Sequence, residues 1–164
     1  RLPTERYYEE EGRAELTPRD FGILMHRVFE NAATTDEIYT AIEAMTQDGV
    51  LDEKEAPRLR ELVEKALADP VTAEWFGGRW QVVRNENEII LPGSGTTRRP
   101  DRVMTDGERA VVVDYKFGDR ETARHRKQIR EYLRLLRQMG YTRTEGYLWY
   151  VRLGRTERVE EKED

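Results

Sequence analysis

A β-branched run that ends in two opposite charges limits the folds open to this chain more than any other feature. The stretch is RRPDRVMTDGERAVVVDYKFG, Arg98 to Gly118. Asp106-Gly107 signals a tight hairpin turn. After it, Ala110 to Val113 reads as a buried strand whose side chains alternate between faces. Asp114 and Lys116 then point one way, Val113 and Tyr115 the other. Charges at the end of a buried strand are costly unless they are paired or ligated. Two readings are open. One is a local ion pair at a strand end. The other is that Asp114 holds a metal ion with a second acid from the neighbouring strand. Asp101, one hairpin away, is placed to be that acid.

The chain has 164 residues, enough for one domain with a core. No apolar run is long enough to span a membrane, and no signal peptide is visible. Cysteine is absent, which excludes disulfides and thiolate-held clusters. The expected compartment is the cytoplasm. A net charge of −5 argues against a free-standing nucleic-acid-binding module, which would be basic. It leaves room for an enzyme whose substrate is brought by something else. The first residue is Arg1 rather than methionine, so the chain is expected to be an excised fragment. No phosphate-binding loop of the G-x-x-x-x-G-K-[ST] type is present.

The rest of the pattern gives an ordered set of elements. Residues 1–16 read as a linker remnant. Thr17-Pro18 starts a helix reaching about Asn31, with Phe21, Met25 and Val28 or Phe29 as its apolar stripe. His26 borders that stripe one turn after Gly22, whose missing side chain would let a backbone or a substrate come close. A histidine at a core edge is the plain alternative. Helices near Thr35–Thr46, Asp52–Ala68 and Pro70–Phe76 form a helical appendage over about 35–76 without visible chemistry. Trp75, Phe76 and Trp80 look like core. Arg79 to Asn85 reads as a strand, and Glu88 to Leu91 continues it or pairs with it. Pro92 to Gly95 is a loop. Arg98 to Thr105 and Glu108 to Phe117 make the hairpin. Glu121 to Met139 is a helix capped by Gly140, with Ile129, Leu133 and Leu136 as its apolar face. Thr144 to Leu153 is a last strand, and residues 155–164 are expected to be a frayed, charged tail. The final connection is a crossover that sets two strands parallel. Positive charge gathers on the Glu121–Met139 helix and around Arg98, Arg99 and Arg102.

Four pieces, in order, carry a resemblance. They are Gly22 to His26 in GILMH, Asp101 in RPDRV, Asp114 to Lys116 in VDYKFG, and Gln128 to Tyr132 in QIREY. This set resembles the PD-(D/E)XK nuclease superfamily, in its RecB-like branch. That branch includes the C-terminal nuclease domains of AddA and RecB helicase-nucleases. The resemblance implies an α/β fold with a mixed sheet: a restriction-endonuclease-like core of order α-β-β-β-α-β over residues 17–154, with extra N-terminal helices. It implies a Mg²⁺-dependent deoxyribonuclease of exonuclease type, working in DNA end processing, recombination or repair.

The resemblance also assigns roles. Asp101, Asp114, His26 and the Tyr115 backbone carbonyl would hold Mg²⁺ or Mn²⁺. Lys116 would orient or deprotonate the attacking water, or neutralise transition-state charge. Gln128 and Tyr132 would support the site and contact DNA. Either Glu86 or Glu88 fits the glutamate that relatives often carry near this strand. Apart from the resemblance, the basic charge of this helix suggests phosphate contact by Arg124 or Lys127, with solvated surface as the plain alternative. Relatives of the AddB type carry a four-cysteine iron–sulfur cluster, and this chain has no cysteine to hold one. The implied partners are DNA strand ends, a helicase domain attached N-terminally, and a second helicase-nuclease subunit. The stretch Arg98-Arg99-Pro100-Asp101 departs from the G-x-x-D of many relatives. Two other classes stay open: a silent nuclease fold kept for DNA binding or structure, and an autonomous endonuclease on the same core.

Overall fold

The computed structural model describes residues 6–8, 14–16, 18–89, 99–118 and 123–162. In chain order, an antiparallel pair, β1 (Arg6–Tyr8) and β2 (Ala14–Leu16), comes first. Helices α1 (Pro18–Phe29), α2 (Thr35–Gln47), α3 (Glu55–Ala66) and α4 (Pro70–Trp75) follow. Next are β3 (Val82–Asn85), one 3₁₀ turn at Glu86–Glu88, and the hairpin of β4 (Arg102–Asp106) with β5 (Arg109–Lys116). Helix α5 (Ala123–Gln138) leads to β6 (Arg143–Tyr150) and β7 (Arg155–Val159).

Local chemistry sets the ends of these elements. Thr34, not Thr35, caps α2, its hydroxyl accepting from the Glu37 N–H at 3.3 Å. Asp69 caps α4 through the Val71 N–H at 2.8 Å, with Pro70 at the first helical position. Gly107 takes a positive φ of 59° in the hairpin turn, which a side chain would resist.

Strands β3 to β7 form one mixed sheet in that order. Only the β5–β6 pair is parallel, as the crossover through α5 requires. The side-chain alternation of β5 divides the interior in two. Val111, Val113 and Tyr115 face α1 to α4, in one core with Phe29, Trp75, Phe76 and Trp149. Ala110 and Val112 face α5, in a second core with Ile129, Tyr132, Leu133 and Tyr150. Helices α2 to α4 therefore share their core with the sheet. No helix among the described residues is long and apolar enough to cross a membrane.

Arg102 does not join a basic surface, as its place near Arg99 suggests it should. It is fully buried on the α1 side. Nη1 donates to the Ala32 carbonyl at 2.5 Å, and Nη2 donates to those of Ala33 and Trp75 at 2.8 Å each. The guanidinium lies 3.9 Å over the Phe76 ring.

Other expectations are corrected too. Residues 155–159 are not a frayed tail but the edge strand β7, paired with β6 after a turn at Gly154. Its charges misled because they serve ion pairs: Glu157 with Arg126 of α5, and Glu161 just beyond with Arg137. The expected linker holds β1 and β2. Glu88 does not continue a strand. Its carboxylate turns back to the Asn85 N–H at 3.4 Å, and the Ile89 N–H reaches Glu86 O at 3.3 Å, closing the 3₁₀ turn. The expected cap Thr17, the loop Pro92 to Gly95, Arg98 and Glu121 lie outside the described residues.

Helix α5 sits close on β6 because Gly146 has no side chain. A Cβ there would stand 2.4 Å from Ile129 Cγ2 and 3.2 Å from both Leu133 δ-carbons. Gly146→Ala should therefore lift α5 and destabilise the fold by about 1–3 kcal/mol, the usual range for overpacking. Urea unfolding should show a lower midpoint at constant slope. A midpoint equal to wild type would refute the contact.

Candidate active site

The pairing of β4 stops at Arg102, so Asp101 stands just outside the ladder, opposite the end of β5. There the two acids lock to each other's backbone. The Asp101 N–H donates to Asp114 Oδ1 at 3.1 Å, and the Tyr115 N–H donates to Asp101 Oδ2 at 2.7 Å. Each carboxylate thus gives one oxygen to the main chain and keeps the other. Asp114 Oδ2 is buried and accepts no hydrogen bond among the described residues. It lies 3.9 Å from Lys116 Nζ, and Asp101 Oδ1 lies 3.8 Å from His26 Nδ1. Asp101, Asp114 and Lys116 are all buried.

Helix α1 brings His26 here by burying Phe21, Leu24, Met25, Val28 and Phe29. Phe117, which the sequence reading passed over, sets the imidazole. Its ring meets His26 nearly edge-on, at 4.9 Å between centroids. It also fills the space at Gly22, where an added Cβ would stand 3.4 Å from Phe117 Cβ. The close approach allowed by Gly22 is thus a side chain, not a substrate or a backbone.

Burial and the neighbouring Asp114 charge push the Asp101 carboxyl up to about 7, against the pull of the Tyr115 N–H and Lys116. Burial, helped by Lys116, lowers the His26 pKa, with Glu86, Glu30 and Asp114 opposing. The imidazole is therefore neutral at neutral pH, the form that can ligate.

Of the two candidate glutamates, Glu86 lies within electrostatic reach of both His26 and Asp101. Glu88 instead faces a groove lined by Ile89, Val103 and Leu136. On α5, Gln128 is half-buried, and its Oε1 has no hydrogen-bond partner among the described residues. Tyr132 is 2% exposed within the second core, so the expected DNA contact by this ring is corrected. The four-residue spacing that put it beside Gln128 also turned it into the sheet. Arg124 and Lys127 are exposed.

Among the described residues, no three of His, Cys, Asp and Glu are gathered as a ready metal cluster. The donors still suit a hard divalent ion in kind: two carboxylate oxygens not engaged by backbone, and a neutral imidazole. The unbonded, buried Asp114 Oδ2 carries this fit, because such an atom is costly without a partner. The N–H and carbonyl of one strand residue point to the same side, so the Tyr115 carbonyl is directed toward Asp101 with its N–H.

The raised Asp101 pKa has a sign that can be tested without metal. The folded chain holds this proton more tightly than the unfolded chain, whose carboxyl titrates near ~3.9. The contribution is therefore present at low pH and is lost as pH rises toward about 7. His26, with a lowered pKa, works in the opposite sense. Asp101→Asn removes the first slope and keeps an acceptor for the Tyr115 N–H. In chelator, the variant should melt roughly 4 °C above wild type at pH 8, as for one to two kcal/mol in a domain of this size. The gap should shrink at pH 5. A gap independent of pH would refute the assignment.

No curated protein sequence matches the chain. A family model does, over residues 2–164. Its name spells the pattern that precedes β4 and ends β5 here, Pro100-Asp101 followed by Asp114-Tyr115-Lys116, and the mixed sheet that presents the pattern agrees with it. The chain belongs to the PD-(D/E)XK nuclease superfamily.

Proposed function

We propose that this chain is a RecB-like nuclease domain: a Mg²⁺-dependent deoxyribonuclease that trims DNA strand ends. We further propose that an N-terminally attached helicase delivers those ends, within a helicase-nuclease of one or two subunits used in end processing, recombination or repair. The observation that carries this reading is the locked pair of buried acids with Lys116 beside it.

Asp101 and Asp114 would hold Mg²⁺ or Mn²⁺ through the oxygens their backbone bonds leave over, with His26 and the Tyr115 carbonyl completing the protein side. When bound, the ion supplies Lewis acidity, a water of lowered pKa and a counter-charge for the phosphate. Lys116 orients the attacking water and offsets charge on the phosphoryl oxygens. The water oxygen bonds to phosphorus as the bond to the leaving sugar oxygen breaks, and that oxygen takes up a proton. Glu86 is the further acid beside the site. Gln128 supports it from α5, while Arg124 and Lys127 meet the strand's phosphates.

Ligand and catalyst separate by mutation. Asp114→Ala should abolish Mn²⁺ binding in calorimetric titration. Lys116→Ala should leave that binding largely intact and slow cleavage by about 10²- to 10⁴-fold, the usual span for a proton-handling group. A Lys116→Ala protein cutting at the wild-type rate would show the mechanism to be wrong.

Delivery is tested by affinity. The chain is net acidic at −5 and offers phosphates only a few cations near the site. It should bind a single-stranded oligonucleotide with a dissociation constant on the order of 10⁻⁴ to 10⁻⁶ M at physiological salt. Nanomolar binding with processive degradation would point instead to an autonomous enzyme.

A further inference from the structure

A histidine that ligates a metal ordinarily donates its second ring N–H to a carboxylate, a carbonyl or water, and that bond fixes the ring. His26 departs from this pattern. Among the described residues its imidazole makes no hydrogen bond. Nδ1 stands 3.8 Å from Asp101 Oδ1, beyond hydrogen-bond distance. The side chain is 44% exposed, so burial alone does not fix its rotamer. Rings surround it instead. Phe117 lies 4.9 Å away between centroids at 65°, and Tyr115 lies 6.0 Å away at 58°. Near-perpendicular contact at such distances is a favoured aromatic arrangement. Phe117 is in turn held on two sides. It packs against the α1-side core, with Tyr115 at 6.5 Å and Phe21 at 6.0 Å, nearly perpendicular. Its Cβ and ring also fill the space beside Gly22. Gly22 and His26 are four residues apart on one face of α1, so a single ring spans both.

We propose that Phe117 is a positioning residue for the metal site, holding the His26 imidazole toward Asp101 by ring packing where a hydrogen bond would otherwise do so. The inference rests on the metal-dependent nuclease reading above and names a further residue on which metal affinity depends. Phe117 touches neither metal nor substrate. It acts through His26, by reducing the rotamers that this side chain gives up when an ion binds. Phe117 directly follows Lys116, so the residue that steadies the helix-borne ligand belongs to the same strand end as Asp114 and Lys116.

The test is calorimetric titration of Mn²⁺, without substrate, into the wild-type chain and a set of variants. Phe117→Leu keeps an apolar side chain and removes the ring. It should weaken Mn²⁺ binding by about 2- to 12-fold, the span of one edge-to-face aromatic pair. Phe117→Tyr restores the ring and should bind within about twofold of wild type. In a His26→Ala background, Phe117→Leu should change affinity by less than about twofold, because the group it acts through is gone. Phe117→Met serves in place of Leu if the Leu protein does not fold. An equal loss in both backgrounds would show a general structural role and overturn the proposal. So would wild-type affinity in Phe117→Leu, or a Tyr variant as weak as the Leu variant. The Leu and Tyr comparison decides the matter by itself if His26→Ala binds too weakly to titrate. A wild-type protein that binds no Mn²⁺ would overturn the metal-dependent reading, and this inference with it.

Discussion

A buried arginine holds the two halves of this molecule together. Arg102 has no exposure, and an interior guanidinium is costly unless its donors are met; here both terminal nitrogens are, while Nε has no partner among the described residues. Its acceptors are the carbonyls of Ala32, Ala33 and Trp75, and the Phe76 ring covers its face. Ala32 and Ala33 follow α1, the helix that carries His26, while Trp75 ends α4. One side chain on β4 thus fixes where both helices meet the sheet. The next residue back is Asp101, just outside the ladder, whose carboxylate accepts from the Tyr115 N–H and lies 3.8 Å from His26. One dipeptide thus holds a structural anchor and a site residue side by side.

The site inherits its geometry from that arrangement. Asp101 and Asp114 are not spaced by touching each other. They are spaced by two hydrogen bonds to main-chain amides at the end of the ladder. Backbone amides do not change rotamer, so the pair is set before any ion or substrate arrives. The strain that remains is electrostatic: two acids in a buried place, with Lys116 too distant at 3.9 Å to hydrogen-bond Asp114.

Much of this was legible in the residues themselves. Asp106-Gly107 and the β-branched run after it announced the hairpin, and the charges closing that run announced the site. Alternation correctly placed Asp114 with Lys116 and against Tyr115. The parts that were missed depend on long-range pairing. Nothing local tells that the charges of residues 155–159 sit on an edge strand, because their partner Arg126 is 31 residues from Glu157. Spacing showed that Tyr132 shares a face with Gln128, but not that the face turns inward. The choice between Glu86 and Glu88 hung on a 3₁₀ turn made by Glu88's own side chain. Composition counted Arg102 as surface charge because it carries no record of burial.

Strand β7 has one more consequence. As the last strand in the sheet order among the described residues, it offers its outer amides and carbonyls, the kind of border on which chains stack into aggregates. Arg155, Glu157 and Arg158 punctuate that border with both signs of charge within four residues. A second copy laid alongside would have to bury or match them in register. Charges of both signs along this rim therefore oppose edge-to-edge stacking of one copy on another.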